Sequence, residues 1–187
     1  MLLPRPRRRL EGLTIVEVCV IVCVAGVVLA VFVPTFLKHL HTSKVAEASE
    51  QLAQMHRGAA SYWLARHHGS HGEPLVRCLP DVAGPAPEHT TVDPVDVDFA
   101  AEATPGAPTW RALGFAPDRP TRYQYAFEPA RAGCGVTARP RAVVATLRAL
   151  GDLDGDGVFS TFERRAGISA EGELVPVDIL YVFNRTE

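Results

Sequence analysis

Residues 13–37 read LTIVEVCVIVCVAGVVLAVFVPTFL, an almost unbroken apolar run that carries a single charge, Glu17. As a helix the run would be about 37 Å long, enough to cross a bilayer core with some tilt. Four arginines, Arg5, Arg7, Arg8 and Arg9, stand directly before it. Basic residues are retained on the cytoplasmic side, so the rest of the chain is expected to be exported. The stretch is too long for the apolar region of a cleaved secretory signal, and no small-x-small site closes it. No lipoprotein box precedes Cys19 or Cys23, which read as small hydrophobes within the run.

The formal charge of −2 conceals an asymmetry. Without its first twelve residues the chain has 15 basic and 20 acidic side chains, a formal charge of −5. That balance argues against nonspecific nucleic-acid binding, which needs a basic surface. Glu17 is the second anomaly. A carboxylate in a bilayer-embedded helix is costly and marks a functional position by default, although near the cytoplasmic edge it could also snorkel to the interface.

The segment RRRLEGLTIVEVCVIVCVAGVVLAVFVP resembles the class III signal of type IV pilins and pseudopilins. That signal is a short basic leader ending in Gly, followed by an apolar run with Glu at its fifth place. The resemblance covers roughly the first 55 residues. It implies a leader over residues 1–12 cut by a prepilin peptidase between Gly12 and Leu13, then N-methylation of Leu13. It makes Glu17 the fifth mature residue, paired during filament assembly with the terminal amine of a neighbouring subunit. Pro34 matches the family's helix-bending proline; it lacks an N–H and crowds the carbonyl four residues back. The implied fold is α+β and pilin-like, a long N-terminal helix on a small antiparallel sheet. The implied partners are other pilin subunits, the filament assembly platform and the bacterial inner membrane, with a single pass and a cytoplasmic N-terminus before assembly.

Beyond the transmembrane segment, residues 38–67 are expected to continue the helix in amphipathic form. Val45, Ala48, Leu52, Met55, Ala59 and Tyr62 recur at three- and four-residue spacing, the pattern of one buried helix face. Trp63 is expected to pack in the core or at its rim. Residues 68–187 form the expected exported, β-rich head. Its first part, residues 69–122, contains nine prolines and reads as a long surface connection, with a helical turn and core anchor at residues 109–115. Strands are expected at residues 121–127, 141–150 and 174–183, from their aromatic and β-branched content. Cys78 and Cys134 lie in this exported part, where one disulfide is expected over two free thiols.

The sharpest chemical motif is DLDGDGVFSTFE, residues 152–163. It fits the twelve-residue calcium template, with carboxylates at Asp152, Asp154 and Asp156 and a turn glycine at Gly157. Val158 would offer its carbonyl, Ser160 a direct or water-mediated bond, and Glu163 two oxygens. The flanks do not read as a helix–loop–helix, so the expectation is a structural Ca²⁺ loop in a β-rich head, set against a solvated acidic turn. Some pseudopilins hold structural calcium in the head, and the resemblance agrees. His67, His68 and His71 read as a solvated helix end rather than a transition-metal site.

The expected function is a structural subunit of a type IV pilus or related filament. The alternative is a pseudopilin of a type II secretion system, acting in a periplasmic pseudopilus. A monomeric, membrane-tethered adhesion module that uses the calcium loop is a third reading. An enzyme is not expected, because no nucleophile with a paired base, phosphate loop or catalytic zinc pattern is present.

Overall fold

The computed structural model describes residues 14–184. The first helix, α1, spans Ile15–Leu64 and is not divided at Pro34, which lies inside it. The chain forms two compact units, one ending at Ser43 and one beginning at Lys44. In the first unit, Ile15–Pro34 is long and apolar enough to cross a membrane, and none of its side chains is buried within the chain. A helix apolar on every side and covered by nothing needs lipid or other helices around it.

In the second unit, α1 supplies one wall of the core. Ala48, Leu52, Met55 and Ala59 are wholly buried. They recur at intervals of four, three and four residues, which is one stripe of a helix. Trp63 ends the stripe, donating its indole N–H to the Gly172 carbonyl at 3.0 Å. Tyr62, expected on the stripe, is half-buried and packs on the His67 ring, with centroids 4.3 Å apart. The helix stops two residues before β1 (His67–His68), which pairs with β2 (Pro74–Leu75).

The remaining elements are β3 (Ala83–Ala86), α2 (Ala107–Leu113), β4 (Gln124–Pro129), β5 (Val143–Gly151), β6 (Ser160–Ile168), β7 (Leu174–Pro176) and β8 (Tyr181–Phe183). Strands β3 to β7 form an antiparallel sheet in chain order. β8 pairs with the first half of β6 and β7 with its last residues. The long N-terminal apolar helix followed by an antiparallel sheet is the expected α+β, pilin-like arrangement.

Several expectations need correction at the level of elements. β6 was not foreseen as a strand, and it is the best-connected one in the sheet. The expected strand over 174–183 is two short strands separated by residues 177–180. β7 ends at Pro176, which cannot donate to a further ladder bond. The strand expected from Thr121 begins at Gln124; Thr121 instead bridges to Val95 through reciprocal backbone bonds of 2.8 and 2.9 Å. α2 is the expected short helix, and Trp110 within it is fully buried.

The core is aromatic at its centre. Phe99, Trp110, Phe115 and Tyr125 meet with centroid separations of 5.0–5.3 Å for four of the pairs involved, several edge-to-face. Such pairs add directional attraction to area burial. α2 reaches α1 at Gly58, where any β-carbon would run into the Leu113 carbonyl. Glu47 ties α1 to the approach of β4. Its Oε1 accepts from Thr121 Oγ1 at 2.9 Å and from the Arg122 amide at 3.2 Å. The expected disulfide joins Cys78 to Cys134. Beside it, Leu79 and Gly133 exchange two backbone bonds of 2.9 Å, so the proline-rich connection is fastened to the β4–β5 turn.

Candidate functional site

Glu17 stands in the first turn of α1. Thr14 precedes the helix, and the two residues bond reciprocally. The Thr14 amide and hydroxyl both donate to Glu17 Oε2 at 2.7 Å, and the Glu17 amide donates to Thr14 Oγ1 at 3.3 Å. This is a capping box, in which a Thr and a Glu three residues on satisfy amides that the helix start leaves open. The signal was present in the sequence as Thr14-x-x-Glu17 and was overlooked because the carboxylate was weighed only against lipid. Gly12 and Leu13, the expected cleavage and methylation positions, lie outside the described residues.

The second candidate is the acidic loop between β5 and β6. Asp152, Asp154 and Asp156 converge, with one carboxylate oxygen from each within 4.8 Å of the others. Backbone amides shape the turn. Gly155 donates to Asp152 Oδ1 at 2.7 Å, Gly157 to Asp152 Oδ2 at 3.2 Å and Val158 to Asp156 Oδ1 at 2.7 Å. Gly155 and Gly157 adopt φ of 83° and 87°, left-handed values that favour glycine. Three hard carboxylates at this separation suit a cation such as calcium.

The last two side chains of the twelve-residue template are placed differently. Ser160 opens β6, is wholly buried, and donates to the Asn184 carbonyl at 2.8 Å. Glu163 lies within β6 opposite Arg148 of β5. Its oxygens sit 3.4 Å from Arg148 Nη2 and 2.7 Å from Arg165 Nε. Arg148 also pairs with Glu128 at 3.1 Å, so Glu163 belongs to a charged ladder across the sheet. The residues that fit a cation are therefore the three aspartates. Val158 has an exposed side chain and lies two residues beyond Asp156. His67, of the histidine group, is engaged locally, with Nε2 2.8 Å from the Tyr62 carbonyl.

A buried histidine in the helix–sheet seam was not foreseen. His56 is 8% exposed, and its Nε2 has no hydrogen-bond partner. Burial holds its pKa below the usual histidine value, and the nearby Arg164 and Arg57 guanidiniums push the same way. A bond to the Val175 backbone opposes them.

One apolar, unburied N-terminal helix and an antiparallel sheet packed on an amphipathic helix form an α+β, pilin-like arrangement that is consistent with a membrane-anchored protein. The type IV major pilin protein PilA of Myxococcus xanthus (strain DK1622) is 26% identical over 131 residues, which cover 70% of this chain and 42% of the relative. The chain thus aligns with less than half of that relative's length. The similarity and the apolar helix together fit a type IV pilin. No protein-family model matches the chain, and no solved structure matches it significantly.

Proposed function

We propose that this chain is a pilin-like structural subunit that assembles with other pilin subunits into a type IV pilus or related filament. The carrying observation is the lone carboxylate of Glu17 in an otherwise apolar, uncovered helix, together with the similarity to a major pilin. Before assembly the helix anchors the chain in the inner membrane. Cleavage by a prepilin peptidase after Gly12 would place a new amine on Leu13, four residues before Glu17. Opposite charges in a low-dielectric bundle attract strongly, and an unmatched one is costly. A Glu17–amine pair between subunits would therefore set axial register as well as affinity, with the assembly platform presenting subunits in turn. The capping box is compatible with this role, because both Thr14 bonds fall on Oε2. Pro34 would ease the helix where it packs in the fibre. A pseudopilin of a type II secretion system shares all these features and is the second reading. A structural pilin relative implies a non-enzyme.

The experiment compares Glu17→Ala with Thr14→Ala in the full chain. Thr14→Ala removes the cap, about 1 kcal/mol of helix stability, and keeps the carboxylate. The expected result is membrane insertion for both and filament loss only for Glu17→Ala. Filaments at the normal level from Glu17→Ala would refute the assembly role. Equal, mild defects in both would leave Glu17 as a cap alone.

We further propose that Asp152, Asp154 and Asp156 hold a structural Ca²⁺ that offsets their mutual repulsion and orders the β5–β6 connection. Ser160 and Glu163 would serve the sheet rather than the ion.

A further inference from the structure

The two ends of strands β4, β5 and β6 differ in character. At one end Gln124, Leu150, Thr161 and Phe183 are in register across four strands. There a shallow groove of about 540 Å³ is lined by Leu150, Val158, Phe159, Thr161 and Phe183. Val158, Phe159 and Phe183 are 41, 43 and 54% exposed, so the groove is an uncovered apolar surface. It is flanked by Asp154 and Asp156, both exposed, and half-buried Asp152. Among the described residues, the arginines nearest in chain to this end are already paired, Arg122 with Glu47 and Arg148 with Glu128 and Glu163.

The opposite end is marked by the pairs Pro129–Ala145 and Val143–Gly167. It also exposes apolar side chains, Val76 at 58% and Val143 at 41%. Arginines stand close to it. Arg77 follows Val76 and lies against Gly172, and the Arg141 amide donates to the Ile168 carbonyl at 2.9 Å. Arg139 shares the turn with Arg141, its carbonyl accepting from Ala142. These three arginines take part in none of the head's four ion pairs among the described residues. The carboxylates near this end include Glu128, which is paired with Arg148, and Glu171 and Glu173, whose amides both donate to Ser169 Oγ.

We infer that the groove at the Leu150–Phe183 end docks the Val76–Val143 end of a second copy of this chain. The match is double, apolar to apolar and carboxylate to guanidinium. It joins two different patches of one surface, so it is heterologous and propagates into an open polymer rather than closing as a dimer. Complementary charge around an apolar centre guides encounter and rejects a reversed copy. A divalent ion among the three aspartates would still leave the flank net negative. This inference rests on the filament reading and names a contact between heads within it.

The test uses full-length chains assembled in membranes. In a chain whose free Cys19 and Cys23 are replaced by serine, Phe159→Cys with Val143→Cys should give a ladder of covalent multimers under oxidation, whereas each of the two introduced cysteines alone should leave the chain monomeric. Arg77→Glu with Arg141→Glu should lower filament yield about tenfold or more, because like charges then face each other. Arg77→Lys with Arg141→Lys should keep the normal yield, which separates the lost charge from a folding defect. Normal filaments without a ladder would overturn the docking while leaving the filament reading intact. A ladder-free crosslink to another polypeptide, or dimers from a single-cysteine variant, would also overturn it. Wild-type chains that form no filament would overturn both.

Discussion

Glu17 shows how one side chain can serve two purposes. In the isolated chain it caps its own helix through Thr14, and in the proposed filament it would answer a neighbour's amine. Gly58 is the second decisive residue. It is a helix-interior glycine, normally a destabilising choice, but the Leu113 carbonyl occupies the space a side chain would need. Gly58→Ala is therefore expected to destabilise the chain by about 1–3 kcal/mol despite the better helix propensity of alanine. Chemical denaturation of the full chain in detergent checks this, and unchanged or raised stability would mean that α2 yields without cost.

Among the elements, the seam between α1 and β6 carries a group that makes stability depend on pH, His56. Phe162 and Ala166 face the core, and Arg164, two residues from each, lies on the same side of β6 beside His56. From the helix His56 faces Arg164 of β6 and the Val175 backbone of β7, with Arg57 on its own helix. Its pKa is lower folded than unfolded. The neutral form therefore contributes stability above the unfolded value of 6.5, and that contribution is lost as pH falls through the folded value. Stability should decline on acidification below about pH 6.5. A His56→Leu chain should lose that part of the slope, as thermal melts at pH 7.5 and 5 would reveal. An identical slope in both chains would assign the decline to other groups. The same Arg164 explains why β6 escaped recognition. Its sequence STFERRAGI alternates properly, yet a charged residue at an inward position breaks the apolar pattern by which strands are recognised.

For the molecule as a whole, the acidic loop decides how the β5–β6 hairpin closes. If the three aspartates hold calcium, chelation should lower the melting temperature of the full chain, and adding Ca²⁺ back should restore it while Mg²⁺ does so less. A chelator-insensitive melt would leave the loop as a solvated acidic turn. What the linear chain determined by itself was its local physics. A long apolar run must lie in lipid or among helices, a three–four spaced stripe must face a core, and two exported cysteines tend to meet. What only the tertiary structure decided was which groups compete for each partner. Ser160 and Glu163 match a calcium template by spacing, but β6 draws one to the Asn184 carbonyl and the other to Arg148 and Arg165. The grouping of Leu150, Thr161 and Phe183 at one strand end likewise emerged only once the strands paired in register. Sequence spacing specifies what a residue could bind; the fold specifies what reaches it first.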